Sequence, residues 1–262
     1  MTETSNQTSS VTKMIEQILE RGEIASVVTL VNGPGWIGAK LLVQENGATA
    51  GSLGDLDSWA VEKAPEFLAS REETRRFTVN ETWLLFERLQ PAPRLVVCGA
   101  GHVGASLARL AAFTGYYTTL IDDRAEFLKR ERFPEEEIEL LVADDWSSAV
   151  RKAVRNGRGV SVAVVTRGHN EDEQCMHIAV ETNPDYLGLI GSKRRTSIVI
   201  DRLRDAGVSE EQLAKIHAPI GLDIGAVSPE EVALAILAEI VADRRGGTGL
   251  PLRHKKAQKH AQ

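Results

Sequence analysis

The most chemically specific run in the chain is Gly99-Ala100-Gly101-His102-Val103-Gly104. It directly follows the apolar stretch Leu95–Cys98 and opens an apolar segment of helical spacing, His102–Phe113. Each glycine answers a separate demand: Gly99 a sharp turn, Gly101 close approach of a backbone to a phosphate, and Gly104 tight packing of helix on strand. The uncapped N–H groups and dipole of the helix start then favour an anion. Asp122, 18 residues beyond Gly104, stands where an acid would meet a nucleotide ribose. The competing reading is a doubly wound domain that keeps the turn without binding a dinucleotide. His102 either faces whatever lies over the helix start or is a partly exposed first-turn histidine.

Those residues need a frame that gathers them. Short apolar strands at Leu95–Cys98, Tyr117–Ile121, Ile138–Val142, Val160–Val165 and Tyr186–Ile190 alternate with helical segments at His102–Phe113, Ser147–Val154, Glu173–Glu181 and Thr196–Asp205. That rhythm predicts an α/β domain with a doubly wound, Rossmann-like parallel sheet. Ligands of such sheets collect beyond the carboxyl ends of the strands. The third such end offers Asp144 and Asp145, the fourth Thr166-Arg167-Gly168-His169-Asn170-Glu171-Asp172, and the fifth Gly191-Ser192-Lys193-Arg194-Arg195. His169 and Asp172, with Arg167 and Thr166 beside them, suit orienting a bound group or ligating a metal; alternatively Asp172 caps the next helix and His169 is solvated. Gly191 and Ser192 with the three consecutive basic residues Lys193, Arg194 and Arg195 suit a phosphate or carboxylate cradle. The alternative is a solvated basic first turn, although positive charge there opposes the helix dipole.

Before this domain the pattern differs. Met1–Ser10 reads as a disordered lead-in, followed by a short helix over Val11–Glu20. Strands follow at Ile24–Val31, Ile37–Gln44 and Ala48–Gly51, a helix at Leu56–Leu68, and strands at Arg75–Val79 and Trp83–Leu89. This is a small α+β unit with a mainly antiparallel sheet. Pro91 and Pro93 interrupt the pattern and mark a linker. The expected organisation is residues 1–90, a Rossmann-like domain over 91–250 and a basic disordered tail over 251–262. Near the end, Ser228, Pro229 and Glu231 spell a capping box with proline at the first helical position, and Gly246-Gly247 ends that helix.

The 262 residues are 42% hydrophobic and 26% charged, which excludes a disordered chain. A net charge of −6 weighs against a nucleic-acid partner. No run approaches the roughly 20 apolar residues of a membrane span, and no secretory signal opens the chain. Two cysteines, Cys98 and Cys175, cannot form a disulfide framework or a cysteine-built zinc site. The expectation is a cytoplasmic protein with reduced thiols. Walker, G-x-S-x-G, H-E-x-x-H and C-x-x-C patterns are missing, which removes most hydrolase and kinase readings.

These residues resemble the XdhC/CoxI family, accessory proteins of molybdenum hydroxylases such as xanthine dehydrogenase. The likeness is carried by GAGHVG (Gly99–Gly104), LIDDR (Leu120–Arg124), TRGHNEDE (Thr166–Glu173), YLGLIGSKRRT (Tyr186–Thr196) and the long run Pro219–Gly246. In the first unit it rests on Ala25–Gly47 and the Gly51-Ser52-Leu53-Gly54 turn. The resemblance implies a chaperone that binds the molybdenum cofactor (molybdopterin), shields it during sulfuration and inserts it into the hydroxylase. A cysteine desulfurase as second partner and a homodimer are further implications. Gly99, Gly101, His102, Gly104, Asp122, His169, Asp172, Gly191, Ser192, Lys193 and Arg194 would contact the cargo, with no catalytic residue and no resident metal. Many members carry a cysteine just after the first-unit glycine turn, where this chain has Gly54-Asp55-Leu56-Asp57. A carboxylate does not replace a soft thiolate, so this branch either holds the cofactor by pterin and phosphate or has another cargo. Two alternatives use the same loop: an NAD(P)-dependent oxidoreductase, with Asp122 on the ribose and His169 moving a proton, or a nucleotide-sensing module.

Overall fold

The computed structural model describes residues 2–70, 72–155 and 158–254. The chain divides into two compact units, Met1–Pro91 and Ala92–Gln262. Each is described by itself.

In the first unit, strands β1 (Ala25–Asn32), β2 (Lys40–Gln44), β3 (Thr49–Gly51), β4 (Thr74–Val79) and β5 (Thr82–Leu89) form an antiparallel sheet in the order β3-β2-β1-β5-β4. Helix α1 (Thr2–Arg21) covers one face and α2 (Asp57–Ala69) the other. Strand alternation explains the division. Val28 and Leu30 of β1 point to α2 and pack with Ala60, Ala64, Phe67 and Phe86. Ala25 and Val27 point the other way, to Val11 and Ile18 of α1. Because both faces are covered, the first six residues of β1 are all buried. Helix α1 starts at Thr2, so the lead-in expected to be disordered is helical in backbone; its polar residues supply no apolar stripe that would announce it.

The second unit holds a six-stranded, wholly parallel sheet: β6 (Arg94–Cys98), β7 (Tyr117–Asp122), β8 (Ile138–Val142), β9 (Val160–Val164), β10 (Tyr186–Leu189) and β11 (Ile216–His217), in the order β11-β10-β9-β6-β7-β8. Sequential strands run outward on one side from β6 and on the other from β9. The topological switch point therefore lies between β6 and β9, where a crevice opens at the carboxyl ends. Helices α3 (His102–Phe113) and α8 (Pro229–Arg245) cover one face, packing Leu107, Ala111, Ile236 and Ile240 on Leu95, Val97 and Leu120. Helices α4 (Trp146–Val154), α5 (His169–Thr182) and α6 (Lys193–Asp205) cover the other, packing Val150, Met176 and Val199 on Val96, Cys98 and Val162. A short helix α7 (Glu210–Leu213) precedes β11.

The expected strands all form. Helix α8 is bounded as its sequence requires: Ser228 Oγ accepts from Glu231 N–H, Glu231 Oε2 accepts from Ser228 N–H, and Gly246 takes the left-handed conformation at φ 66°. Helices α5 and α6 begin earlier than expected, at His169 and Lys193, because their first turns are polar and the apolar period enters only in the second turn. Of the expected tail, Leu252–His254 form a 3₁₀ turn and residues 255–262 lie outside the described residues. No helix among the described residues is long and apolar enough to cross a membrane.

Candidate functional site

The glycine turn is built by steric necessity. At Gly99, φ is +113° and a β-carbon would lie 2.6 Å from the carbonyl oxygen of Val165. At Gly104 a β-carbon would lie 1.8 Å from Gly99 O, so helix α3 and strand β6 meet with no room for a side chain. Gly101 differs: a β-carbon there would meet nothing within 4 Å. Gly101 is the N-cap of α3, has no side chain to cap the helix start, and faces open space at the switch point. Backbone donors and the positive end of the helix dipole are thus presented to whatever enters the crevice.

Asp122, at the end of β7, is buried. Its Oδ2 accepts from Ala100 N–H inside the glycine turn (2.6 Å) and from Arg124 Nη2 (3.0 Å). Its Oδ1 accepts from Arg124 N–H (3.0 Å) and Nε (2.8 Å). Burial opposes the charge, but the hydrogen bonds from Arg124 and Ala100 outweigh it and hold the carboxyl below the ordinary range. The acid therefore braces the turn from beneath, with four donors on its two oxygens. Beside it, Arg167 forms a bidentate pair with Asp123 at 3.0 and 2.9 Å.

The loop after β9 joins this turn from the other half of the sheet, and the Thr166 Cα lies 3.0 Å from the β-carbon position of Gly99. Asp172 lies in the first turn of α5, fully buried. Gly168 is the N-cap, so Asp172 does not cap the helix. Its Oδ1 accepts from Thr166 Oγ1 (2.5 Å) and its Oδ2 from Arg195 Nη2 (2.5 Å). Burial raises its pKa against those two donors. Ser192 Oγ caps α6 by accepting from Arg195 N–H at 3.2 Å, and a β-carbon on Gly191 would lie 3.2 Å from Arg195 Cδ. His102, His169, Lys193 and Arg194 are exposed.

Gly99, Gly101, Gly104, Asp122 and Asp172 are thus gathered at the switch point through Thr166, while Gly191 and Ser192 flank the same Arg195. Arg195 and Thr166 lie in the strand-end loops read from the sequence but were not among the residues expected to contact the cargo. A helical signal for Arg195 exists: it lies one turn before Val199, a buried position of α6, whereas Lys193 and Arg194 lie one turn before the exposed Ser197 and Ile198.

A second polar cluster was not anticipated. Glu239 Oε2 accepts from Tyr186 Oη (2.5 Å) and Gly221 N–H (2.8 Å), and Glu239 Oε1 lies 3.6 Å from His217 Nδ1. The His217 ring stacks on Tyr186 at 4.4 Å between centroids. Burial opposes ionisation of Glu239, yet His217, Tyr186 and Gly221 hold its pKa down at about 2. The facing carboxylate of Glu239 raises the pKa of His217. This cluster ties β11 and the chain after it to α8 and β10.

Both cysteines are fully buried. Among the described residues, no group of three or more histidine, cysteine or acidic side chains is placed to hold a metal ion.

Three comparisons place this geometry. The family model described as the XdhC Rossmann domain matches residues 95–240. The chain is 36% identical over 158 residues to the uncharacterised protein YqeB of Escherichia coli K12, covering 60% of this chain and 28% of that protein. It is 29% identical over 164 residues to a probable xanthine dehydrogenase subunit of Bacillus subtilis 168 (63% and 47%), and 26% identical over 155 residues to the molybdenum cofactor insertion chaperone PaoD of E. coli K12 (59% and 41%). The matched region thus spans less than half the length of these curated relatives. A crystal structure of a xanthine dehydrogenase from Bacillus halodurans superposes with a TM-score of 0.70 at 22% identity, covering 89% of this chain and 66% of that one. Its fold is therefore shared. With the XdhC Rossmann domain model matching residues 95–240, more than half of the chain, the protein belongs to the XdhC family.

Proposed function

We propose that this chain is a maturation factor for a xanthine dehydrogenase-type molybdenum hydroxylase, binding the molybdenum cofactor as cargo and presenting it for sulfuration and insertion. The observation that carries the reading is the open glycine turn at the switch point: Gly101 leaves space over an α3 start with no side-chain cap. A phosphate such as that of molybdopterin suits those backbone donors. The relatives described as a cofactor insertion chaperone and as a xanthine dehydrogenase subunit support the same role.

In this reading the phosphate docks over Gly101 at the start of α3, in the turn whose close packing Gly99 and Gly104 permit and Asp122 braces. Gly191, Ser192, Lys193 and Arg194 line the cationic side, and His102 and His169 face the metal end. The buried thiols of Cys98 and Cys175 leave the cofactor held by its pterin and phosphate. A cysteine desulfurase as sulfur donor, a homodimer and a cytoplasmic setting belong to the same proposal. The dinucleotide alternative has less support, since the Asp122 oxygens are already engaged by Ala100 and Arg124.

Anaerobic co-purification with the cofactor tests the reading. The wild type retains it, Gly101→Val excludes it, and His169→Ala weakens retention. Equal retention by Gly101→Val would remove the cofactor from this turn.

A further inference from the structure

The guanidinium of Arg195 is held in an unusual way. Its Nη2 donates to the fully buried Asp172, whose other oxygen is fixed by Thr166 Oγ1. Thr166 in turn packs on Gly99. The side chain therefore leans from the loop after β10 toward the loop after β9, bringing its charge toward the glycine turn. Lys193 and Arg194, on the same helix turn, point to solvent. The Arg195 Nε–H is buried and has no acceptor in the structure. Buried donors are almost always paired, and a charged one left alone is costly. Three successive cations at the start of α6 also oppose its dipole, and Asp172 offsets one of them. Both observations call for a further acceptor carrying negative charge.

We propose that Arg195 is a ligand-binding residue that receives an oxyanion of the molecule docked at the glycine turn, and that Asp172 and Thr166 are its positioning residues. The chemistry is a phosphate monoester oxygen taken by the Nε–H and the free guanidinium N–H groups, a fork that lysine cannot reproduce. This rests on the reading of the glycine turn as the cargo dock.

The test is anaerobic equilibrium binding of isolated molybdenum cofactor to the full chain, at several salt concentrations, with folding checked by melting temperature. Arg195→Lys keeps the charge but loses the fork. It is expected to weaken binding about tenfold while leaving the salt dependence near that of the wild type. Asp172→Asn frees the Arg195 charge but removes the carboxylate that aims it. It is expected to weaken binding at high salt and to steepen the salt dependence, whereas loss of affinity with an unchanged slope would make Asp172 structural only and overturn its positioning role. Thr166→Val, a milder change, is expected to weaken binding several-fold and serves if Arg195→Lys does not fold. Wild-type affinity in Arg195→Lys, with Gly101→Val still blocking, would overturn the proposal and leave the dock standing. Wild-type affinity in Gly101→Val as well would overturn both.

Discussion

Glu239→Gln isolates a single charge in the second unit. The glutamine keeps the size of Glu239, and its carbonyl oxygen can still accept from Tyr186 Oη and Gly221 N–H, which both reach Glu239 Oε2 in the native cluster. What disappears is the negative charge facing His217 at 3.6 Å. Lowering the pKa of Glu239 from 4.5 to about 2 corresponds to roughly 3 kcal/mol of preference for the charged form in the folded state, at about 1.4 kcal/mol per tenfold change in proton affinity. Because the folded pKa is depressed, this stability is fully present above pH 4.5 and is lost as pH falls through about 2. His217 has the opposite sign. Its raised pKa contributes stability below its ordinary value of 6.5, and the contribution fades as pH rises through the raised value. Glu239→Gln should therefore destabilise the second unit most between about pH 5 and 6, by up to about 3 kcal/mol, with a smaller deficit toward pH 2 and at alkaline pH. Urea unfolding of wild type and variant, repeated across pH and followed by circular dichroism, measures the difference. Parallel stability–pH curves with a constant offset would refute the reasoning, since the variant would then be losing packing rather than charge.

Gly104→Ala places a carbon 1.8 Å from Gly99 O, so the second unit should lose cooperative thermal unfolding, whereas Gly101→Val should keep its melting temperature. Phe67→Ala, which empties a fully buried position between α2 and the sheet, should cost about 3–5 kcal/mol in urea unfolding of the first unit. Ser228→Ala removes the cap of α8 and should cost about 1 kcal/mol; a change within a few tenths would mean that the cap is replaced by water. Millimolar NAD⁺ should leave the melting temperature unchanged, because the Asp122 oxygens are engaged within the protein. A concentration-dependent rise would show that the acid is displaced onto a ribose.

The second sheet was legible because its strands are short apolar runs separated by helical periods, and because GAGHVG admits few other local structures. Ser228-Pro229-Glu231 fixed the start of α8 to the residue. The starts of α5 and α6 were not legible, since charged first turns carry no apolar period. Strand β11 is two residues long and exists only by pairing with Leu187 and Gly188, a tertiary contact that no local pattern encodes. The site followed the same division. Glycines reveal themselves by type and spacing, whereas Arg195 is singled out from Lys193 and Arg194 only by the direction in which α6 turns. The role of Asp172 required the burial and the distant partner to be seen together.

The junction of β6 with β9 has a kinetic meaning. Paired residues such as Arg94 and Val160 lie 66 positions apart, and contacts of that range form late because loop closure must precede them. The segment β6-α3-β7 can close locally and already contains the whole glycine run. Yet Gly99 meets Thr166, and Asp172 draws in Arg195, only after β9 and β10 have joined. A nascent chain would hold the motif for some time without holding the dock. On the proposed function, capture of cargo would then report that folding is complete, and the cofactor would not be committed to an unfinished carrier.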